Sequence, residues 1–92
     1  MSANDTGRVV IITGAAGGIG RVLVAAALDA GYRVALLDRD KGRLDQMISE
    51  LKECNQGDGL LACIVDVADE NSCTIAIEQV ISQFGRLDGL VN

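Results

Sequence analysis

Three glycines near the start of the chain have the spacing of a backbone site for phosphate. Gly14, Gly18 and Gly20 form a Gly-x3-Gly-x-Gly pattern. Glycine permits a tight turn and lets the backbone approach a ligand where any Cβ would collide. The apolar run 9–12 precedes the turn and the run 22–28 follows it, which predicts strand, turn and helix. The N–H groups and the positive dipole end of that helix would attract an anion.

A carboxylate follows the second apolar run. Asp38 comes directly after residues 34–37 and 18 residues after Gly20. In a dinucleotide-binding fold, a carboxylate at the end of the second strand accepts hydrogen bonds from the adenosine ribose, and it would repel a 2′-phosphate. The alternative is a helix N-cap or a turn residue. Arg39 could pair with a 2′-phosphate, but the carboxylate holds the key position, so we expect NAD.

Asp66 and Val67 end the third apolar run and are predicted to lie on the same sheet edge. Ligands in open α/β sheets bind along that edge. The Asp66 carboxylate could accept from the adenine amino group, and the Val67 N–H could donate to a ring nitrogen. The alternative is that Asp66 caps the following helix, a role for which Asp69 competes.

Ile19 and Arg21 lie within and just after the glycine pattern. Ile19 is an apolar plug under the turn, a contact of the cofactor near its nicotinamide, or both. Arg21 could reach a phosphate or remain solvated, and these alternatives stay open.

The elements that would position these residues alternate between strand and helix. Strands are predicted over 8–12, 32–38, 60–65 and 87–92, and helices over 18–30 and around two stripes with i, i+3, i+4, i+7 spacing. The first stripe is Leu44, Met47, Ile48 and Leu51, and the second is Ile77, Val80, Ile81 and Phe84. The helix over 18–30 is apolar almost all round, so we expect it to be deeply buried. We expect Gly31 to end this helix and Gly85 to end the last helix. This order predicts an α/β fold with a parallel sheet.

Composition excludes several classes of function. The chain has 92 residues and a net charge of −5, and the negative charge argues against nucleic-acid binding. It has no histidine, so it lacks the commonest zinc ligand and the commonest catalytic base. Tyr32 and Phe84 are its only aromatic residues, so base stacking is not expected. The chain is 49% hydrophobic, which is high for this length and indicates an incomplete unit or an obligate oligomer.

The cysteines and termini indicate the compartment. The chain has three cysteines, Cys54, Cys63 and Cys73, which is an odd number, and no two of them form a C-x-x-C motif. We therefore expect free thiols in a reducing compartment and no metal site. No signal-peptide core and no apolar run long enough for a membrane span occur. These features predict a protein of the cytoplasm or an organelle matrix.

Taken together, these motifs resemble the N-terminal part of the classical short-chain dehydrogenase/reductase family. The motifs are the glycine pattern, Asp38, the Asp66-Val67 pair, and Asp-Gly-Leu-Val-Asn over residues 88–92. The resemblance covers residues 8–92 and implies a Rossmann-type doubly wound parallel sheet, of which the first β-α-β-α-β-α-β portion is present. The preceding residues 1–7 are polar, and we expect them to form a disordered N-terminal tail.

The resemblance also implies roles for individual residues. Gly14, Gly18 and Gly20 would shape the pyrophosphate loop, with Ile19 on the nicotinamide side. Asp38 matches the position that selects NAD. Asp66 and Val67 match the pair that contacts adenine, and Asn92 matches the first residue of an Asn-Asn-Ala-Gly motif beside the cofactor. The basic residue that favours NADP is absent, because Gly17 stands in its place.

No catalytic residue of the family falls within this sequence. The family's Ser and Tyr-x-x-x-Lys lie downstream, and Tyr32 lacks a lysine four residues later. We therefore expect the cofactor half of an NAD(H)-dependent oxidoreductase acting on an alcohol or carbonyl substrate, truncated at Asn92, inactive alone and homo-oligomeric in the parent. The alternative is a non-catalytic NAD-binding or regulatory module that associates with another chain.

Overall fold

The computed structural model describes residues 7–53 and 59–91, in which four strands alternate with three helices. These are β1 (Val9–Thr13), α1 (Gly18–Asp29), β2 (Arg33–Asp38), α2 (Lys41–Glu53), β3 (Leu60–Ile64), α3 (Glu70–Phe84) and β4 (Gly89–Val91). All four strands pair in parallel, in the order β3-β2-β1-β4. The predicted α/β fold with a parallel sheet is therefore confirmed. Within the predicted tail, only Gly7 is described, and its N–H donates to the Gly31 carbonyl at 3.3 Å.

Strand order reverses at β1, which has β2 on one side and β4 on the other. Ile11 in β1 lies opposite Ala35 in β2 and Leu90 in β4. In open sheets of this kind, ligands bind beyond the carboxyl ends of the strands at such a reversal. Thr13 ends β1 immediately before Gly14. The topology thus brings the glycine loop to the sheet edge where a ligand would bind.

Two hydrophobic cores cover the two faces of the sheet, and alternate residues of β1 and β2 enter each. The core under α1 and α2 contains Val10, Ile12, Ala15, Ala16, Val24, Val34, Leu36, Leu44, Met47 and Leu51. The core under α3 contains Val9, Ile11, Ala35, Leu37, Cys63, Val65, Ala76 and Val80. Burial on both faces explains why these strands are apolar without alternation. Each fully buried Val, Leu or Ile contributes about 1.5–3 kcal/mol, so the two cores hold the loop-bearing strands in register.

Both predicted stripes are confirmed only in part. In α2, Leu44, Met47 and Leu51 are buried, whereas Ile48 is half-buried. In α3, Val80 is buried and Phe84 packs partly against the core, but Ile77 and Ile81 are 37% and 48% exposed. Ala76 is buried in their place. The helix is rotated so that the small Ala76 faces the sheet, which lets the helix approach β-branched side chains closely.

The deep burial expected for α1 is also wrong. Only Gly20 and Val24 of this helix are buried, and Val22 is 68% exposed. The reason is geometric: α1 packs on β1 and β2, and its side turned away from the sheet stays exposed. Its predicted end is confirmed, because Gly31 has φ of 92° and follows the last turn. Gly85 ends α3 in the same left-handed conformation, at φ of 80°.

Two of the three cysteines are described, and both are free thiols. Cys63 is buried and Cys73 half-buried; Cys54 lies outside the described residues. Burial raises the pKa of the Cys63 thiol, which disfavours its reactive thiolate. Residues 7–53 and 59–91 contain no group of three His, Cys, Asp or Glu side chains that could hold a metal ion. In the same ranges, no helix combines the length and apolarity that crossing a membrane requires.

Asp88 joins the beginning of β4 to the beginning of β1. Its Oδ2 accepts the Val9 N–H at 2.7 Å, and the Val9 carbonyl accepts the Asp88 N–H at 2.8 Å. Arg86 donates Nε and Nη2 to the same carboxylate at 2.9 and 2.6 Å. The hydrogen bond from Arg86, followed by that from Val9, lowers the pKa of Asp88. This carboxylate therefore stabilises the folded state in its charged form.

We expect Asp88→Asn to lower the melting temperature near neutral pH, and the deficit to shrink in acid. An unfolded aspartate titrates near about pH 3.9, and Asp88 titrates lower in the folded state. Its contribution is thus complete above that pH and is lost as the pH falls through the lower folded-state pKa. Thermal melts of both proteins between about pH 7 and pH 2 measure the deficit. A deficit that is the same at every pH would contradict this assignment. Asp45→Asn, which breaks an exposed pair with Lys41, is the control.

Candidate functional site

The fold requires two of the three patterned glycines, each for a different reason, and does not require the third. Gly14 has φ of 61°, a conformation that residues with a side chain rarely adopt. A Cβ on Gly20 would lie 2.3 Å from the Gly14 carbonyl oxygen and 2.8 Å from the Ala15 Cα. A Cβ on Gly18 would meet no protein atom within 4 Å. Neither backbone strain nor packing within the described chain therefore explains the glycine at position 18, and its open side is free for a ligand.

The N-terminus of α1 has no side-chain cap. Gly17 is its N-cap residue, and its first turn contains no acidic residue. By contrast, the Asp69 side chain caps α3, and Glu70 lies in the first turn of that helix. The first N–H groups of a helix have no partner within the helix. Those of α1 can bind an anion at the glycine loop without competition from a carboxylate of its own first turn.

Ile19 and Arg21 do not have the purely structural or solvated roles that were among the alternatives from the sequence. Ile19 is 80% exposed, so it does not form an apolar plug under the turn; contact with a cofactor remains a prediction. Arg21 is not simply solvated, because its Nη1 donates to Glu50 Oε2 of α2 at 2.9 Å. That ion pair joins α1 to α2.

Asp38 lies at the end of β2 and contacts the glycine loop. Its Oδ2 accepts the Ala16 N–H at 3.1 Å, and its Oδ1 accepts the Asp40 N–H at 3.0 Å. It does not cap α2, because Asp40 Oδ1 accepts the Arg43 N–H in that role. The turn-residue alternative is confirmed. It is compatible with the predicted ribose contact, since each carboxylate oxygen can accept two hydrogen bonds.

Asp66 forms a turn of its own and does not cap α3. Its Oδ1 accepts the Ala68 N–H at 3.0 Å, and its carbonyl accepts the Asp69 N–H at 2.9 Å. Asp69 is the cap, with its carboxylate accepting from Asn71 and Ser72. The helix-cap alternative for Asp66 is therefore wrong, and its predicted adenine contact stays a prediction.

Four of the predicted site residues line one cleft of about 200 Å³ at the carboxyl edge of the sheet. These are Gly14, Asp38, Asp66 and Val67, joined by Leu37, Arg39 and Val65. The sequence analysis missed the apolar walls Leu37 and Val65, although both directly precede the acidic strand ends. A larger cavity of about 360 Å³ between α1 and β4 is lined by none of the predicted site residues that the structure describes. The residue predicted at the far edge of the site, Asn92, lies outside the described residues.

The cleft therefore lies where the glycine loop before α1 meets the acidic end of β2, as the contact between Asp38 and Ala16 shows. The sequence model for short chain dehydrogenases matches residues 8–92. The chain belongs to the short chain dehydrogenase family. This match confirms the family resemblance predicted from the sequence motifs, and it confirms the Rossmann-type fold that the resemblance implied.

Individual members of the family match nearly the whole chain. The short chain dehydrogenase/reductase dpmpG of Macrophomina phaseolina is 41% identical over 98 aligned residues, which cover 100% of this chain and 55% of that protein. The 3-ketoacyl-(acyl-carrier-protein) reductase of Brucella melitensis, solved with NADH, is 33% identical with a TM-score of 0.82 over 92% of this chain and 33% of its own. The L-sorbose reductase of Gluconobacter frateurii, solved with NADPH and L-sorbose, is 36% identical with a TM-score of 0.85. That match covers 95% of this chain and 33% of the reductase chain. The chain thus spans between about a third and about half of the length of these relatives.

Proposed function

We propose that this chain is the NAD(H)-binding portion of an oxidoreductase that acts on an alcohol or carbonyl substrate. The observation that carries the proposal is the cleft in which Gly14, Asp38, Asp66 and Val67 meet. Gly14, which lines this cleft, accepts the N–H of Gly17, the N-cap residue of α1, at 3.0 Å. When bound, NAD(H) supplies hydride transfer at C4 of its nicotinamide ring.

Each part of the cofactor has a matching group in this arrangement. The pyrophosphate would lie against the N–H groups of α1, where Gly18 leaves open space. The adenosine ribose would donate to the Asp38 carboxylate. The adenine ring would lie between the apolar Leu37 and Val65, with Asp66 and Val67 at its polar edge. This sequence of anion, sugar and base sites follows the edge from β1 through β2 to β3.

The preference for NAD rests on Asp38, because the solved relatives include both an NADH and an NADPH complex. A carboxylate at the ribose repels a 2′-phosphate, whereas a guanidinium attracts one. Arg39 lines the same cleft, but Asp38 is fixed against the loop by Ala16. Gly17 also adds no positive charge on the loop side of the cleft.

No residue of this sequence is proposed as the catalytic acid or base. The only tyrosine, Tyr32, precedes β2 and lines the cavity on the other side of α1. The six residues of β2 separate it from the carboxyl edge by about 20 Å at roughly 3.3 Å per residue. The chain therefore binds and orients the cofactor in this proposal, and the proton-transfer groups belong to other segments of the parent enzyme.

Fluorescence titration with NADH and NADPH tests the proposal. We expect saturable binding of both, with NADH at least about tenfold tighter, corresponding to about 1.4 kcal/mol. Alcohol turnover by the 92-residue chain is expected to be absent. Equal affinity for the two cofactors would remove the NAD assignment, and failure to bind either would overturn the proposal itself.

A non-catalytic NAD-binding module that associates with another chain is a second candidate. It is favoured by the apolar side chains beside β4, where Leu90 (58% exposed) and Ile77 of α3 (37% exposed) line one cavity. A contiguous exposed patch of this kind marks an interaction surface. The reading frame after Asn92 distinguishes the candidates: a later Tyr-x-x-x-Lys motif favours the enzyme, whereas a stop codon favours the module.

A further inference from the structure

Two consecutive N–H groups tie the glycine loop to the end of β2. The Ala15 N–H donates to the Leu37 carbonyl at 3.2 Å, and the Ala16 N–H donates to Asp38 Oδ2 at 3.1 Å. The first hydrogen bond joins backbone to backbone and does not depend on the Asp38 side chain. The second depends on the Asp38 side chain, so the path of the loop at Ala16 depends on this carboxylate.

The carboxylate is itself held in place from the other side. Asp38 Oδ1 accepts the Asp40 N–H at 3.0 Å, so both oxygens are fixed by backbone donors. One donor belongs to the loop before α1 and the other to the turn before α2. Asp38 therefore forms a rigid connection between these two segments.

The position of Ala16 determines where α1 presents its N–H groups. Ala16 immediately precedes Gly17, the N-cap residue of α1. The Gly17 N–H donates to the Gly14 carbonyl at 3.0 Å, which closes the loop. A shift of Ala16 would therefore move the N-terminal N–H groups that are proposed to bind pyrophosphate.

We propose that Asp38 is a positioning residue for the pyrophosphate loop, in addition to its ribose contact. The inference rests on the proposed function for the identity of the anion. It makes the sugar and phosphate parts of the site interdependent, because a ribose hydroxyl and the Ala16 N–H share one carboxylate. Asp38 therefore supports binding even of an anion that has no ribose.

Inorganic pyrophosphate distinguishes this role from simple electrostatics. Removing a negative charge near an anion site strengthens anion binding by Coulomb's law. Loss of a positioning contact weakens it, so the two effects have opposite signs. Asp40→Ala is the matched control, since it removes a carboxylate two residues along the chain whose contacts are with Arg43 of α2. Asp38→Asn keeps one oxygen that can accept from Ala16.

The experiment compares the full chain carrying Asp38→Ala, Asp38→Asn or Asp40→Ala with the wild type. We expect Asp38→Ala to weaken pyrophosphate binding about fivefold and to speed hydrogen exchange of the Ala16 amide in the free protein by a similar factor. Asp38→Asn should retain most of both properties. Asp40→Ala should leave Ala16 exchange unchanged and pyrophosphate binding unchanged or tighter.

Either of two results overturns the positioning role. One is unchanged Ala16 exchange in Asp38→Ala, and the other is pyrophosphate binding as tight as in the wild type or tighter. If the wild type binds neither NADH nor pyrophosphate, the proposed function fails. The exchange rate of Ala16 then decides the positioning role alone.

Discussion

Replacing Gly20 by alanine is expected to destabilise the fold and abolish NADH binding, because the added methyl group collides with backbone. Its Cβ would lie 2.3 Å from the Gly14 carbonyl oxygen and 2.8 Å from the Ala15 Cα. Backbone atoms cannot rotate away as a side chain can, and Ala15 is fully buried. Overpacking of this kind lowers the free energy of unfolding by about 1–3 kcal/mol or more. In a domain this small, each kcal/mol lowers the melting temperature by about 4–8 °C.

Gly18→Ala is the matched variant two residues earlier in the same loop. Its Cβ meets no protein atom within 4 Å, and replacing a glycine by alanine where the backbone tolerates it stabilises a protein by about 0.4–1 kcal/mol through the unfolded chain. We expect the melting temperature to stay the same or rise, while NADH affinity falls at least about tenfold because the methyl occupies the space proposed for pyrophosphate. Thermal melts and NADH fluorescence titrations of both variants give the comparison. Wild-type NADH affinity in Gly18→Ala would refute the location of the anion, and an unchanged melt for Gly20→Ala would refute the packing argument.

The cleft could be predicted from the sequence because topology alone assembles it. The carboxyl ends of parallel strands meet at one edge, so residues that end successive apolar runs become neighbours without any knowledge of rotamers. Gly14 follows β1, Asp38 ends β2 and Asp66 follows β3, and they share one cleft for this reason. The helix ends at Gly31 and Gly85 were equally predictable, since only glycine adopts their positive φ readily.

The rotation of the helices could not be predicted in the same way. In α3, the adjacent apolar residues Ala76 and Ile77 both fit a helical period, and their order of burial depends on how closely the helix approaches the sheet. The structure buries Ala76 and exposes Ile77. For α1, apolar residues all round predict burial only when neighbours exist on every side, and the described elements cover one side.

The contact of Asp38 with Ala16 was also beyond the sequence. The two residues are 22 positions apart, and nothing in the pattern around either one indicates a hydrogen bond. It arises because β1 and β2 are paired with Thr13 opposite Leu37. That register brings the loop after β1 within hydrogen-bonding distance of the side chain that ends β2.

Asp38→Ala is expected to lower the ratio of NADH to NADPH affinity at least about tenfold. The wild-type carboxylate accepts charge-assisted hydrogen bonds from the ribose, and losing such bonds costs about 1.5–3 kcal/mol. The same substitution removes the negative charge that opposes a 2′-phosphate and leaves Arg39 as a charged side chain lining the cleft. Both changes act on the ratio in the same direction, whereas any displacement of the pyrophosphate loop weakens the two cofactors alike and cancels from it.

A second substitution separates the two contributions to that ratio. Arg39→Ala alone should reduce NADPH affinity and leave NADH affinity nearly unchanged, because Asp38 keeps its contacts with Ala16 and Asp40. The double variant should then bind NADPH more weakly than Asp38→Ala does, if the guanidinium reaches the 2′-phosphate. Titration of all four proteins with both cofactors gives a double-mutant cycle. An NADH to NADPH ratio unchanged by Asp38→Ala would mean that the ribose lies away from the end of β2, and the cofactor would then have to enter the cleft in a different orientation.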